Sequence, residues 1–147
     1  MQKNVNTKLV IAAIAYTVIA QIIHIVDAFL TMNFYLMPQY FSVWSKIMMP
    51  IAGPPPVSFY AFSILFALIT GAIFAFIYLT IMKAVPGKTK LQKGLAYGVI
   101  LFLANGIPGF LSLYLIVNLP TVLIIYWLIE NLVIFLISGV VFAKLFK

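Results

Sequence analysis

The chain has 147 residues, of which 65% are hydrophobic and only 7% are charged, and its net charge is +7. Soluble domains carry about 25% charged residues, so this composition requires lipid rather than water over most of the folded surface. Cysteine and arginine are absent, which excludes disulfides, thiolate metal sites and guanidinium clamps, and lysines placed beside apolar segments do not predict nucleic-acid binding.

Four long apolar segments predict four membrane-spanning helices. Each exceeds the roughly 20 residues that cross a hydrocarbon core of about 30 Å, and backbone groups in lipid must bond within their own segment. The first segment follows a short basic region, as in a signal peptide, but it continues past Ala20 to Leu30, so we expect a retained helix. A single all-α membrane domain, residues 1–147, is predicted to form a transmembrane four-helix bundle. Its spans are expected at about residues 9–30, 59–82, 91–117 and 121–142.

The lysines predict the orientation of these helices. If four spans are crossed, Lys46 alone lies on one side and the other eight lie on the opposite side. The positive-inside rule then places both termini in the cytoplasm, with the protein integral to the cytoplasmic (inner or plasma) membrane. Anionic lipid headgroups are the expected partners of those eight lysines. They are Lys3, Lys8, Lys83, Lys88, Lys90, Lys93, Lys144 and Lys147.

The first loop, residues 31–57, is predicted to contain an interfacial amphipathic helix at residues 39–49. A proline-rich stretch at residues 52–56 predicts an extended return to span two. The helix is interpreted as an anchor in the outer interface, and the alternative is a lid over a cavity between the spans. The bulky residues that recur on one helical face are Tyr40, Phe41, Trp44, Ile47 and Met48.

The two remaining loops are short. A Pro-Gly turn at residues 84–88 joins spans two and three, and residues 118–120 join spans three and four. Short connections favour antiparallel neighbours, so spans two, three and four are predicted to pack side by side in chain order.

Small residues at steps of four predict close helix packing in span two, at the start of span three and at the end of span four. These stripes serve either the bundle itself or a contact between two copies of the chain, and the sequence leaves both interpretations open. The residues are Ser63, Ala67, Gly71, Ala75, Gly94, Gly98, Gly139 and Ala143.

Span three is also predicted to break near Asn105, which is followed by Gly106, Pro108 and Gly109. Proline removes a backbone hydrogen bond and kinks a helix. A functional break and plain packing geometry are both open interpretations of this feature.

Three ionisable side chains lie within the predicted spans. At about 1.5 Å per residue, Glu130 lies about 15 Å deep, near the midplane, whereas His24 and Asp27 lie in the outer part of span one. His24 and Asp27 share a helix face, so a polar track from the outer interface toward Glu130 is possible. The amides that complete this candidate buried polar site are Gln21, Asn105 and Asn131.

An acid inside a membrane span is a functional hypothesis by default. Three interpretations of Glu130 are open: a protonated acid bonded to Asn105 or Gln21 that holds the bundle in register, a proton or cation site, and a ligand or metal contact. His24, Asp27 and Glu130 are suitable metal-ligand types but form no known motif, so no metal and no cofactor is predicted. No G-x-S-x-G motif is present, which argues against a serine-triad enzyme.

Motifs spread along the chain resemble a known group of proteins. They are His24, the segment Lys93-Gly94-Leu95-Ala96-Tyr97-Gly98, Tyr114, Pro120, Trp127, Glu130 and Gly139. Together they resemble small bacterial and archaeal four-span membrane proteins of unknown function, and the resemblance implies a four-helix bundle with no established activity. Small multidrug exporters also have four spans and one membrane glutamate, but theirs lies in span one, so their function is not inferred.

The sequence therefore favours a non-enzymatic polytopic membrane protein, a subunit of a membrane complex or a homo-oligomer. The alternatives are a small transporter or proton- or cation-coupled channel that uses Glu130, and a membrane-embedded enzyme or ligand-binding protein. A polar cavity beside the candidate polar site would favour transport. A dry core in which an amide satisfies Glu130 would favour a scaffold.

Overall fold

The computed structural model describes residues 2–51 and 53–146, with side chains from Asn4 onward. Within these residues every regular element is helical. Ala52, Lys147 and the side chain of Lys3, which the sequence analysis used, lie outside this description. The α-helices are α1 (Gln2–Tyr35), α2 (Val57–Ile81), α3 (Lys90–Leu101), α4 (Ile107–Ile116) and α5 (Thr121–Leu145).

Four helical segments of the described chain are long and apolar enough to cross a membrane, as the sequence predicted. Helices α3 and α4 form one such segment, Lys90–Ile116, and α1 continues to Tyr35 rather than ending at Leu30. One end of the bundle carries the turn between α2 and α3 with its lysines, and we call it the lysine-rich end. The opposite end carries the first loop, residues 36–56, and we call it the loop end.

Small residues form the two closest helix contacts. A Cβ added to Gly71 of α2 would lie 2.8 Å from the Cβ of Tyr16 and 3.0 Å from the carbonyl oxygen of Ala13, both on α1. A Cβ added to Gly98 of α3 would lie 2.7 Å from the Cα of Leu136 on α5. The stripes therefore pack helices within one chain. The other stripe residues are also buried or half-buried: Ser63, Ala67, Ala75, Gly94, Gly139 and Ala143.

The order of the helices in space differs from the prediction. Helix α1 packs against α2 and α5, and α5 packs against α3. Helices α2 and α3 follow each other in the chain but meet mainly through Tyr97, whose hydroxyl donates a hydrogen bond to the carbonyl oxygen of Phe74 at 2.6 Å. The prediction of side-by-side packing is wrong for this pair. A short turn restrains only the ends of two helices, whereas small residues decide which faces approach closely.

The first loop does not show the predicted interfacial helix. A single 3-10 turn at Pro38–Tyr40 is followed by isolated turns up to residue 51. The ring of Trp44 is buried at the loop end of the bundle, with its centroid 5.0 Å from that of Tyr35 and 6.2 Å from that of Trp127. With its ring buried there, Trp44 holds the first loop against the ends of α1 and α5. In a continuous helix, Trp44 would instead share one face with the bulky residues around it.

The predicted break in span three is a π turn at Phe102–Gly106. The backbone N–H of Ile107 donates to the carbonyl oxygen of Phe102, five residues earlier, which is the hydrogen bond of a π turn. Pro108 follows in the first turn of α4, where its missing N–H costs little. Beyond this point α4 diverges from the bundle, and Leu115 near its end is 84% exposed.

Aromatic side chains fill the lysine-rich half of the core. The rings of Tyr78 and Tyr97 are 4.9 Å apart and nearly perpendicular, and the ring of Phe142 lies 6.3 Å from that of Tyr97. All three are fully buried or nearly so. These rings pack tightly in the lysine-rich half, whereas His24, Asp27 and Glu130 lie nearer the loop end.

Candidate functional site

An imidazole and a carboxylate join α1 to α5 in the middle of both helices. His24 Nδ1 and Glu130 Oε1 are 2.5 Å apart, and this is the one acid–base pair found between side chains of the described residues. Hydrogen bonds between a charged nitrogen donor and a carboxylate are typically about 2.7–2.9 Å long, so the two atoms are well within hydrogen-bond distance. The Glu130 side chain is 9% exposed and the His24 side chain 49% exposed, so the pair has a buried end and an open end.

The sequence predicted different depths for the two residues because the predicted span one ended at Leu30, five residues before the observed end of α1. Since α1 runs to Tyr35, His24 lies about 16 Å from the loop end of its helix. Glu130 lies about 14 Å from Thr121, where α5 begins at the same end. Counted from the observed helix ends, both side chains have nearly the same depth and can meet.

Asp27 adds a second carboxylate to the α1–α5 interface. It is buried one turn nearer the loop end than His24 and interacts electrostatically with both His24 and Glu130. The hydroxyl of Thr31 donates to the backbone carbonyl oxygen of Asp27 at 2.7 Å and lies 3.4 Å from its Oδ2. With both acids ionised, one imidazolium leaves the group short of positive charge, and a bound proton or cation would restore neutrality.

Aromatic rings close this interface at the loop end. Trp127 Nε1 donates to the hydroxyl of Tyr35 at 3.0 Å, and the ring of Trp44 packs on both. Trp127 precedes Glu130 by three residues, so it lies on the same face of α5, one turn nearer the loop end. The first loop thus supplies one ring of a cover over the charged group.

The predicted amides do not contact Glu130. Gln21 Nε2 donates to Ser63 Oγ at 2.9 Å and links α1 to α2. Asn105 is exposed on the π turn and has no hydrogen-bond partner among the described residues. The interpretation in which Glu130 bonds to Gln21 or Asn105 does not hold, because Glu130 bonds to His24 instead.

Asn131 faces span three rather than the charged group. Its Oδ1 would lie 3.1 Å from a Cβ added to Gly106, and this oxygen is buried without a hydrogen-bond partner in the described chain. The described residues also contain no group of three side chains that could hold a metal ion. The metal interpretation of His24, Asp27 and Glu130 therefore has no geometric support.

A groove of about 400 Å³ lies between α1 and α2, and the open side of His24 forms part of its wall. The groove is mostly apolar, with polar atoms from Ser63 and Thr70 of α2 and from Tyr16 of α1. Ser45 and Ile47 of the first loop line it as well. The alternative interpretation of this loop, a lid over a cavity between the spans, predicted such a position.

Sequence reasoning missed this groove, although one signal was present. Phe59, Phe62 and Phe66 recur at helical spacing on α2, and all three line the groove. In an apolar helix such a row is not distinct from a lipid-facing surface. Only the packing of α1, which brings His24 to the same groove as these phenylalanines, distinguishes a groove wall from a lipid-facing surface.

Comparison of the chain with protein-family models, with curated proteins and with solved structures finds no match. The resemblance to small four-span membrane proteins therefore stays a prediction. The features of this chain that bear on its function are the His24–Glu130 pair and the groove beside it.

Proposed function

We propose that this chain is a non-enzymatic polytopic membrane protein that binds a small, mostly apolar molecule in the groove between α1 and α2. The observation that carries the proposal is the His24–Glu130 pair at 2.5 Å, whose open end lies at the groove wall. A polar group of the ligand would meet His24, and its apolar body would lie along the phenylalanine rings of α2.

The size and lining of the groove support a ligand rather than a packing defect. Its volume of about 400 Å³ falls in the range of about 300–1,000 Å³ that small-molecule sites occupy. Such sites combine apolar walls with a few polar groups that orient the ligand. Here Phe59, Phe62 and Phe66 provide the walls, and His24 and Ser63 provide the polar groups.

Glu130 prepares His24 for recognition. It occupies Nδ1, so Nε2 is the ring nitrogen that remains for a ligand. With a proton on Nδ1 only, Nε2 accepts a hydrogen bond from a hydroxyl or an N–H group. When the ring carries both protons, Nε2 donates to a carbonyl or an anion. Ligand preference therefore depends on whether the pair holds one proton or two.

The proposed setting is the cytoplasmic membrane, with the lysine-rich end and both termini in the cytoplasm. The lysine distribution supports this orientation through the positive-inside rule. The groove would then open in the outer half of the bilayer, where lipid-soluble molecules reach it laterally. Phe59, Phe62 and Phe66 would form its lipid-side wall.

A photoreactive ligand tests this site. A long-chain alcohol with a diazirine on its chain is added to liposomes that contain the protein, and crosslinks are mapped by mass spectrometry. We expect labelling within residues 59–66 in the wild type and at least about tenfold less in His24→Ala, since a hydrogen bond to an ionisable group contributes about 1.5–3 kcal/mol. Equal labelling of both proteins would contradict the proposal.

Two controls separate recognition from altered packing. The same diazirine probe without the hydroxyl should label the wild type and His24→Ala equally. Val26→Ala changes an exposed residue of α1 that does not line the groove, so it should leave labelling by the alcohol unchanged.

Proton-coupled transport is the second candidate, favoured by the surplus of acids over bases where Asp27 joins the pair. We expect Glu130→Gln to abolish proton flux in liposomes, because the amide cannot hold and release the proton. Lys83→Gln, which changes a charge at the opposite, lysine-rich end of the bundle, is the control. Absence of flux in the wild type, or equal flux in Glu130→Gln, would remove this candidate and leave the binding proposal standing.

A further inference from the structure

We propose that a cavity at the lysine-rich end binds the phosphate group of an anionic lipid. The cavity has a volume of about 210 Å³ and lies where the start of α3 meets the ends of α2 and α5. Lys88, Lys90 and Lys93 line it together with Tyr78 and Phe146. Basic and apolar side chains therefore border the same small space.

Among the described residues, no acidic side chain lies beside the lysines of this cavity as a counter-charge. The chain contains two acidic residues, Asp27 and Glu130, and both belong to the α1–α5 interface in the opposite half of the bundle. No lysine of the described chain forms an ion pair. Three lysines that line one cavity bring like charges together, and a phosphate bound among them would supply attraction.

Local hydrogen bonds hold the lysine-bearing segment in place. Thr89 Oγ1 accepts from the backbone N–H of Gln92 at 3.2 Å, and Gln92 Oε1 accepts from the backbone N–H groups of Lys88 and Thr89 at 2.9 and 3.2 Å. This capping box ties the chain at Lys88 to the first turn of α3. Lys93, in the same turn, is itself half-buried.

The apolar residues that line the cavity favour a lipid over a free anion. Met82 and Ala143 join Tyr78 and Phe146 in lining it, at the end of helices whose surfaces are apolar. A lipid can place its phosphate among the lysines and its glycerol and first acyl carbons against these apolar residues. Inorganic phosphate satisfies only the first half, and lysine binds either phosphate as a point charge.

Lipid binding can be measured by native mass spectrometry of the detergent-solubilised protein titrated with phosphatidylglycerol or phosphatidylcholine. We expect phosphatidylglycerol to bind at least about tenfold more tightly, given the contribution of each lysine near an anionic headgroup. The variant Lys90→Gln with Lys93→Gln should lose this preference. The matched control is Lys83→Gln with Lys144→Gln, which removes the same charge at the same end but outside the cavity, and it should retain the preference.

Three results would overturn the site. Equal affinity of the wild type for the two lipids would remove it without any variant. An equal loss of preference in both double variants would indicate diffuse surface charge. Displacement of the lipid by an equal concentration of inorganic phosphate would assign the cavity to a soluble anion. The proposal rests on the membrane setting but not on the groove, so His24→Ala should bind phosphatidylglycerol as the wild type does.

Discussion

His24 and Glu130 are 106 positions apart in the chain and meet in the middle of two helices. Either side chain alone would be costly in apolar surroundings. Together they form a pair whose net charge is zero whether the proton lies on the imidazole or on the carboxylate. In both arrangements Nε2 of His24 retains its own proton and can donate a hydrogen bond. This nitrogen is therefore the polar group that the pair offers to the groove beside it.

The energetic link between these two residues can be measured with a double-mutant cycle. Each of His24→Ala and Glu130→Ala should lower the free energy of unfolding by about 1–3 kcal/mol, because each leaves a partly buried polar group without its partner. The double variant should lose less than the sum, with a coupling of about 0.5–3 kcal/mol. Unfolding in mixed detergent micelles followed by circular dichroism provides the measurement.

Asn105 supplies the control for this cycle. It is exposed and has no hydrogen-bond partner in the described chain, so Asn105→Leu combined with Glu130→Ala should be additive. A strictly additive result for His24 and Glu130 would mean that the 2.5 Å contact contributes nothing in the membrane-mimetic state.

At the scale of helices, the contact between α3 and α5 is a backbone contact made possible by glycine. A Cβ added to Gly139 would overlap the carbonyl oxygen of Gly94, and one added to Gly94 would overlap the backbone at Val140. Gly109 of α4 is different, because a Cβ there would meet nothing within 4 Å. The same residue type thus has opposite roles on the two sides of the π turn.

This difference predicts opposite effects of alanine. Gly139→Ala should lower the free energy of unfolding by about 1–3 kcal/mol, the usual cost of overpacking. Gly109→Ala should leave it unchanged or raise it by up to about 1 kcal/mol, because alanine restrains the unfolded chain more than glycine does. Unfolding in mixed micelles compares the two variants directly. Equal effects would show that α3 and α5 can separate without loss of stability.

Helix extents were predictable from composition, whereas helix neighbours were not. The last three apolar segments were located to within about three residues, whereas α1 begins at Gln2 rather than Leu9 and continues to Tyr35 rather than Leu30. The α2–α3 neighbour prediction failed because loop length restrains helix ends only. The expected loop helix is not shown, because burial of Trp44 against Tyr35 and Trp127 depends on residues distant in sequence.

For the molecule as a whole, lysine placement predicts a testable orientation. Because the chain has no cysteine, Lys46→Cys and Lys83→Cys each introduce a single thiol. We expect a membrane-impermeant maleimide to label Lys46→Cys in intact cells and Lys83→Cys only after the cells are permeabilised. Labelling of Lys83→Cys in intact cells would reverse the proposed topology and place the groove in the inner half of the bilayer.

Association with a second copy or with another membrane subunit stays a prediction. The stripes that suggested it are used within the chain, at the α1–α2 and α3–α5 contacts. Helix α4 has no buried residue, and apolar residues of α1, α2 and α5 are exposed as well, for example Phe29, Phe76 and Ile129. In a bilayer, lipid alone is sufficient to cover such an apolar surface.

The sequence by itself determined the number and approximate extent of the apolar helices and identified the ionisable residues within them. These properties follow from local composition, because each span must satisfy its own backbone in an apolar solvent. Only the tertiary structure decided that Glu130 bonds to His24, that Gln21 turns to Ser63 and that a groove lies beside the pair. Those outcomes depend on which helix faces meet, and that choice is made by small-residue contacts and helix lengths that no single segment contains.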